Sequence, residues 1–130
     1  MGLDMYLNVK RRNDDDEIVS ELVYWRKANQ IRQWFVDNID YPVEGNCPKE
    51  VTKEQLQKLV EDCKVVLEAK DNELANKILP TKSGFFFGSL EYDEWYYDAL
   101  DYTIKKVQDV IDDYDDYVND EYCIVYDEWY

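Results

Sequence analysis

Carboxylates and tyrosines are the side chains best placed to do chemistry in this chain, and they crowd into its last 40 residues. Residues 91–130 hold 14 acids against two bases, Lys105 and Lys106, together with nine of the twelve tyrosines. That stretch carries a net charge of −12 (14 acids less 2 bases), against −3 for residues 1–90 (16 acids less 13 bases). Carboxylates interleaved with stiff, hydrogen-bonding aromatics are complementary to a groove lined with Lys and Arg, such as a nuclease offers to nucleic acid. In this reading Asp93, Glu94, Asp98 and Asp101, then Asp112, Asp113, Asp115 and Asp116, stand in for phosphates. Tyr92, Trp95, Tyr97 and Tyr117 supply the packing, since Tyr and Trp are anchor residues of protein interfaces. The simpler reading is a solvated helix face and a charged tail. Concentrated like charge destabilises a compact chain through self-repulsion, which weighs toward a functional role.

Other chemistries have little to stand on. The chain has no His, which removes the commonest general base and metal ligand and with it any Ser–His, Cys–His or His-ligated zinc arrangement. Cys47, Cys63 and Cys123 are odd in number and far apart, so neither a disulfide framework nor a CxxC zinc site is expected. Cys63 falls in an apolar helical stripe and reads as a small buried hydrophobe. Asp112, Asp116, Asp120 and Glu121 offer oxygen ligands, but the fixed spacing and central Gly of a calcium loop are missing. No catalytic residue is assigned, and no metal or cofactor is expected.

A second constellation is basic. Arg26, Lys27 and Asn29, with Trp34 nearby, sit in a helical pattern, and the glycine-flanked stretch containing Gly84, Phe86 and Gly88 follows later. Together they could form a nucleotide pocket: Arg for phosphate, an aromatic ring for stacking, glycines for close backbone approach. The alternative, preferred here, pairs Arg26 and Lys27 with acids of the C-terminal helix. No Gly-Lys-Ser/Thr follows the glycines, so this is not a P-loop.

These residues need elements to position them. Leu3, Met5, Leu7 and Val9 alternate with polar neighbours, which predicts a half-buried strand. Acidic residues 14–17 then suit a helix start. From Ile18 to Asn38, apolar residues at spacings of three and four predict one long helix. Thr52 and Gln55 have the form of a capping box ahead of a helix with Leu56, Leu59, Val60, Cys63, Val66 and Leu67 on one stripe. A short helical turn from Leu74 to Leu79 stops at Pro80. Ser89 is placed to cap a third main helix whose stripe runs through Tyr96, Leu100, Thr103, Ile104, Val107, Ile111 and Tyr114. The β-branched and aromatic run Tyr122–Tyr126 predicts a strand pairing with the N-terminal one, because neither has a local partner. The expected architecture is α+β: a single domain over 1–130, three main helices packed with a small sheet from the N-terminal and C-terminal strands, and an acidic, Tyr-rich segment at 91–130.

A net charge of −15 repels nucleic-acid phosphates and anionic lipid, so neither direct nucleic-acid binding nor a membrane role is expected. No apolar run approaches the length needed to span a bilayer, and a cytoplasmic location is the simplest expectation. MGLDMYL at the start, YWRKANQIRQWFVDN, and SGFFFGSLEYDEWYYDAL together resemble a family of small proteins encoded by bacteriophages and prophages. The resemblance runs from Met1 to about Val107 and assigns no chemistry to particular residues. It implies an accessory phage protein working in the host bacterial cytoplasm. By analogy with small acidic phage factors that counter defence, including anti-CRISPR proteins, the expected function is non-enzymatic inhibition of a host defence protein with a basic nucleic-acid groove. Binding or sequestering a nucleotide signal through the basic constellation is the alternative.

Overall fold

The computed structural model describes residues 3–13, 18–41, 48–81 and 91–129. Its elements in chain order are β1 (Asp4–Arg11), β2 (Ile18–Arg26), α1 (Asn29–Asn38), β3 (Lys49–Glu50), α2 (Lys53–Ala69), α3 (Asn72–Ile78), α4 (Glu94–Asp112), α5 (Tyr114–Tyr117) and β4 (Tyr122–Trp129). The strands form one antiparallel sheet in the order β2-β1-β4-β3. The fold is α+β, and the N-terminal and C-terminal strands are its central pair, in continuous register from Asp4 opposite Trp129 to Arg11 opposite Tyr122.

One expected element is different. The stretch from Ile18 to Arg26 is not the first half of a long helix but a strand, β2, paired antiparallel with β1. Ile18, Leu22 and Trp25 satisfy a helical spacing, yet Val23 and Trp25 satisfy a spacing of two, and these two are the buried ones. Ile18 and Tyr24, inward in the helical reading, are 43% and 36% exposed. β-branched Ile18, Val19 and Val23 and the aromatic pair Tyr24-Trp25 fit a pleated surface, and β1 supplies hydrogen bonds that no isolated helix could match in burial. Two register shifts, between Leu7 and Asn8 and between Val9 and Lys10, leave extra residues on β2. Such bulges twist an edge strand away from further pairing. The helix proper, α1, starts at Asn29 after a corner at Lys27, whose φ of 56° lies in the left-handed region and whose N–H bonds to the Leu3 carbonyl at 2.7 Å.

The other elements follow their sequence signals. Thr52 and Gln55 form the reciprocal capping box at the start of α2. Leu56, Leu59, Val60, Cys63 and Val66 are buried on its inner face, with Leu67 half-buried. Asp93, not Ser89, caps α4, accepting from the Tyr96 N–H at 3.1 Å. Ser89 lies outside the described residues. The α4 stripe is buried at Tyr96, Leu100, Thr103, Val107, Val110 and Ile111. The core lies between α1, α2 and α4 and the sheet face carrying Met5, Leu7, Val23, Trp25, Ile124 and Tyr126. At its centre Phe35 stacks on Tyr126 with ring centroids 3.9 Å apart, while Trp25 and Trp34 meet Phe35 edge-on. Trp25 also donates its indole N–H to Thr103 at 2.8 Å, tying the sheet to α4.

Candidate functional site

Seven of the eight acids predicted to meet a partner, joined by Asp109, form a ridge; the eighth, Asp93, is taken up as the cap of α4. Glu94, Asp98, Asp101, Asp109 and Asp112 recur at intervals of three, four and eight residues and so share one face of α4. That face is about 27 Å long at 1.5 Å per residue. All five are exposed or half-exposed, and the row is interrupted by Lys105, which pairs with Asp101 at 2.9 Å. Asp113, Asp115 and Asp116 extend the ridge around the junction of α4 and α5, all exposed. No basic residue occupies the last turn of α4 or α5. Asp112 and Asp113 therefore stand where the α4 dipole is already negative, an arrangement the fold itself does not favour, while Asp115 and Asp116 follow in the first turn of α5.

Two acids counted in the same acidic segment do something else. Glu128 is fully buried, and both its oxygens accept from Arg32 Nε, at 2.9 and 3.1 Å. Tyr126 donates its hydroxyl to Glu128 at 2.8 Å, and Tyr41 donates to Asp127 at 3.1 Å. Burial pushes the Glu128 and Asp127 carboxyls up; hydrogen bonds to Tyr126 and Arg32 hold Glu128 back in part. This cluster ties α1 to β4. It was not read from the sequence, and the one signal for it was that period-two continuation of β4 puts residues 124, 126 and 128 on one face.

The predicted aromatic anchors divide in the same way. Tyr92 donates its hydroxyl to Asn76 and Tyr97 donates to Asn72, both at 2.8 Å, and their rings pack edge-on against buried Tyr96. Tyr117 is half-buried against the core. These three pack α4 and α5 onto the body of the domain. Trp95 is the contrast: it is 81% exposed.

Trp95 stands on the rim of a groove of about 620 Å³ between the end of β2 and the first turns of α4. Trp25, Ala28, Tyr96 and Ala99 give it apolar walls; Arg26 and Lys27 line it from the β2–α1 corner, and Glu91, Asp93 and Asp98 from the α4 side. Tyr102, also in the lining, donates to the Tyr24 carbonyl at 2.7 Å and so binds the two walls together. The Tyr24 hydroxyl donates to Asp4, and that bond more than its burial pushes the phenol up to about 12. Among the described residues of the basic constellation, only Arg26 and Lys27 reach this groove, and they do so from a strand end and a corner, not from a helix. The preferred pairing of these two with acids of the C-terminal helix is not formed: among the described residues neither makes an ion pair. Asn29 is 1% exposed, and Trp34 is buried with its indole N–H on Asp62 at 2.9 Å, so neither lines the groove. Gly84, Phe86 and Gly88 lie outside the described residues, as does Cys47.

Cys63 and Cys123 are free and buried, and burial pushes both thiols up. Among the described residues no three Cys, Asp or Glu side chains converge to hold a metal ion, and no helix is long and apolar enough to cross a membrane. Comparison with protein-family models, with curated proteins and with solved structures found no match for this chain.

Proposed function

We propose that the protein is a non-enzymatic inhibitor that docks its α4–α5 ridge into the basic nucleic-acid groove of a defence nuclease. The observation that carries this reading is the set Asp112, Asp113, Asp115 and Asp116, exposed together around the junction of α4 and α5 with no base in the last turn of either helix. Asp112 and Asp113 are placed against the dipole of α4, which the fold does not favour, whereas a partner's Lys and Arg side chains would be drawn to all four. The bacteriophage setting and the cytoplasm of the bacterial host come from the sequence resemblance and belong to the same proposal.

The test is competition. The partner is captured from host lysate, purified, and titrated with the protein at rising salt and in the presence of duplex DNA. Affinity should fall steeply with salt, and DNA should displace the protein, because both occupy one basic surface. Changing the four aspartates together to Asn should weaken binding more than about tenfold, since several charge contacts vanish at once. Undiminished binding by that variant, with DNA unable to compete, overturns the proposal.

A further inference from the structure

The groove beside Trp95 is chemically unlike the ridge. One side carries two cations, Arg26 and Lys27, without ion-pair partners among the described residues. The other presents an indole whose faces are open to solvent and three carboxylates, Glu91, Asp93 and Asp98, all acceptors, of which Asp93 already accepts from the Tyr96 N–H as the cap of α4. Apolar walls lie between. The volume, about 620 Å³, falls in the range of small-ligand sites. The corner that delivers the cations is held in a left-handed conformation at Lys27, which costs backbone energy for a residue with a side chain. The hydrogen bonds from Lys27 to Leu3 and from Tyr102 to Tyr24 fix both walls before any ligand arrives.

We propose that this groove binds a nucleoside monophosphate. Its phosphate monoester carries about −1.5 to −2 charges at neutral pH, which the two cations match. The guanidinium of Arg26 can grip two phosphate oxygens at once, and Lys27 adds a point charge. The base stacks on the Trp95 indole, as bases stack on exposed aromatics elsewhere. Asp98 accepts from a ribose hydroxyl or an exocyclic amine. A triphosphate brings more negative charge than two cations offset, inside a protein of net charge −15. A Lys- or Arg-rich peptide would meet Arg26 and Lys27 on one wall and carboxylates on the other, and it is the rival occupant in the test below. Asp98 belongs to both the groove and the ridge, but this inference does not rest on the ridge reading: its cations Arg26 and Lys27 lie outside the ridge, and the ridge variant alters none of the groove's residues.

Titration of the intact protein with AMP, GMP, adenosine and ATP tests it, followed by indole fluorescence and by the amide and indole proton signals of Trp95 and Trp25. AMP or GMP should shift both indole signals and bind at least about tenfold tighter than adenosine. Arg26→Gln with Lys27→Gln should remove that advantage and leave adenosine binding in place; Trp95→Ala should weaken nucleotide and nucleoside alike. All three side chains are exposed or at the rim, so the variants should keep the parent's far-UV spectrum. AMP affinity should change by less than about threefold between 50 and 200 mM salt, because screening weakens both the local attraction and the long-range repulsion. The proposal is overturned if neither AMP nor GMP moves the indole signals at about 1 mM. It is equally overturned if the Gln variant binds AMP as the parent does, or if a Lys-rich peptide takes the groove in preference to AMP. Loss of partner binding in the ridge variant leaves these outcomes unchanged, so the two proposals fail separately.

Discussion

Glu128 and Asp112 are both carboxylates of the acidic C-terminal segment, only 16 positions apart, and they are used in opposite ways. Glu128 is sealed inside the sheet–helix core, with Arg32 and Tyr126 taking up its oxygens. Asp112 stands in solvent at a helix end with, among the described residues, only Gln108 donating to it. A buried charge persists only when paired and hydrogen-bonded, so the first is a structural tie whose partners are all within the fold. The second is cheap to expose, stands against the dipole of its own helix and gains there one exposed hydrogen bond, so its main use lies outside the fold. Net charge by segment cannot distinguish the two; strand register and helix phase can.

The largest effect expected from breaking this contrast is at Glu128. Glu128→Ala leaves Arg32 charged and unpaired in the core and should cost about 3–5 kcal/mol, read from denaturant unfolding. Replacing both partners, Arg32→Met with Glu128→Leu, should recover most of that loss, since apolar pairs of similar size often match buried ion pairs. If the single variant is as stable as the parent, the cluster is not a tie.

A smaller effect should appear in pH dependence. The folded Glu128 and Asp127 carboxyls sit above their ordinary values, chiefly through burial. A raised acid favours the protonated form in the folded state, so its contribution is fully present below the unfolded value and is lost as pH rises through the folded one. Acidification from neutral toward about pH 5 should therefore stabilise the protein through these groups. Glu128→Gln should flatten that part of the melting-temperature profile, and a parallel pair of profiles would show that Glu128 does not titrate across folding.

Smallest of all should be the stability change at the ridge. The fourfold change of Asp112, Asp113, Asp115 and Asp116 to Asn should leave unfolding free energy equal or slightly higher, within about 0.5 kcal/mol. A loss of about 2 kcal/mol or more would place these acids among the structural ones and erase the contrast. Trp95→Ala should likewise leave stability within about 0.5 kcal/mol, given its exposure; a larger loss would make it a packing residue like Tyr92 and Tyr97.

Much of this was legible where one periodicity stood alone. β1 alternates without ambiguity, α2 carries its own capping box, the α4 stripe is long, and β4 is β-branched and aromatic. β2 was not legible because Ile18, Leu22, Val23 and Trp25 satisfy both periods, and only the presence of β1 decides between them. For the site, exposure of the ridge acids followed from helix phase. The groove did not, since it joins Arg26 and Lys27 to Trp95 and Asp98 across some 70 residues of sequence. The buried ion pair spans 96 positions and left no local trace. The tyrosine hydroxyls were equally silent: Tyr92 and Tyr97 look like free anchors until Asn76 and Asn72 are seen to receive them.

The central pairing of β1 with β4 has a consequence for synthesis. Asp4 meets Trp129, so the two middle strands of the sheet are separated by nearly the whole chain. The ribosome, adding about 5–20 residues per second, presents β1 roughly ten seconds or so before β4 exists to receive it. In that interval β1, paired with β2, has its other edge open, and its apolar Met5, Leu7 and Val9 lack their register partners Glu128, Tyr126 and Ile124. An open strand edge recruits other strands, and pairings this distant close slowly. Newly made chains should therefore be most vulnerable to aggregation and proteolysis before their last residues emerge, and the finished protein should refold in a single late step when β4 locks in.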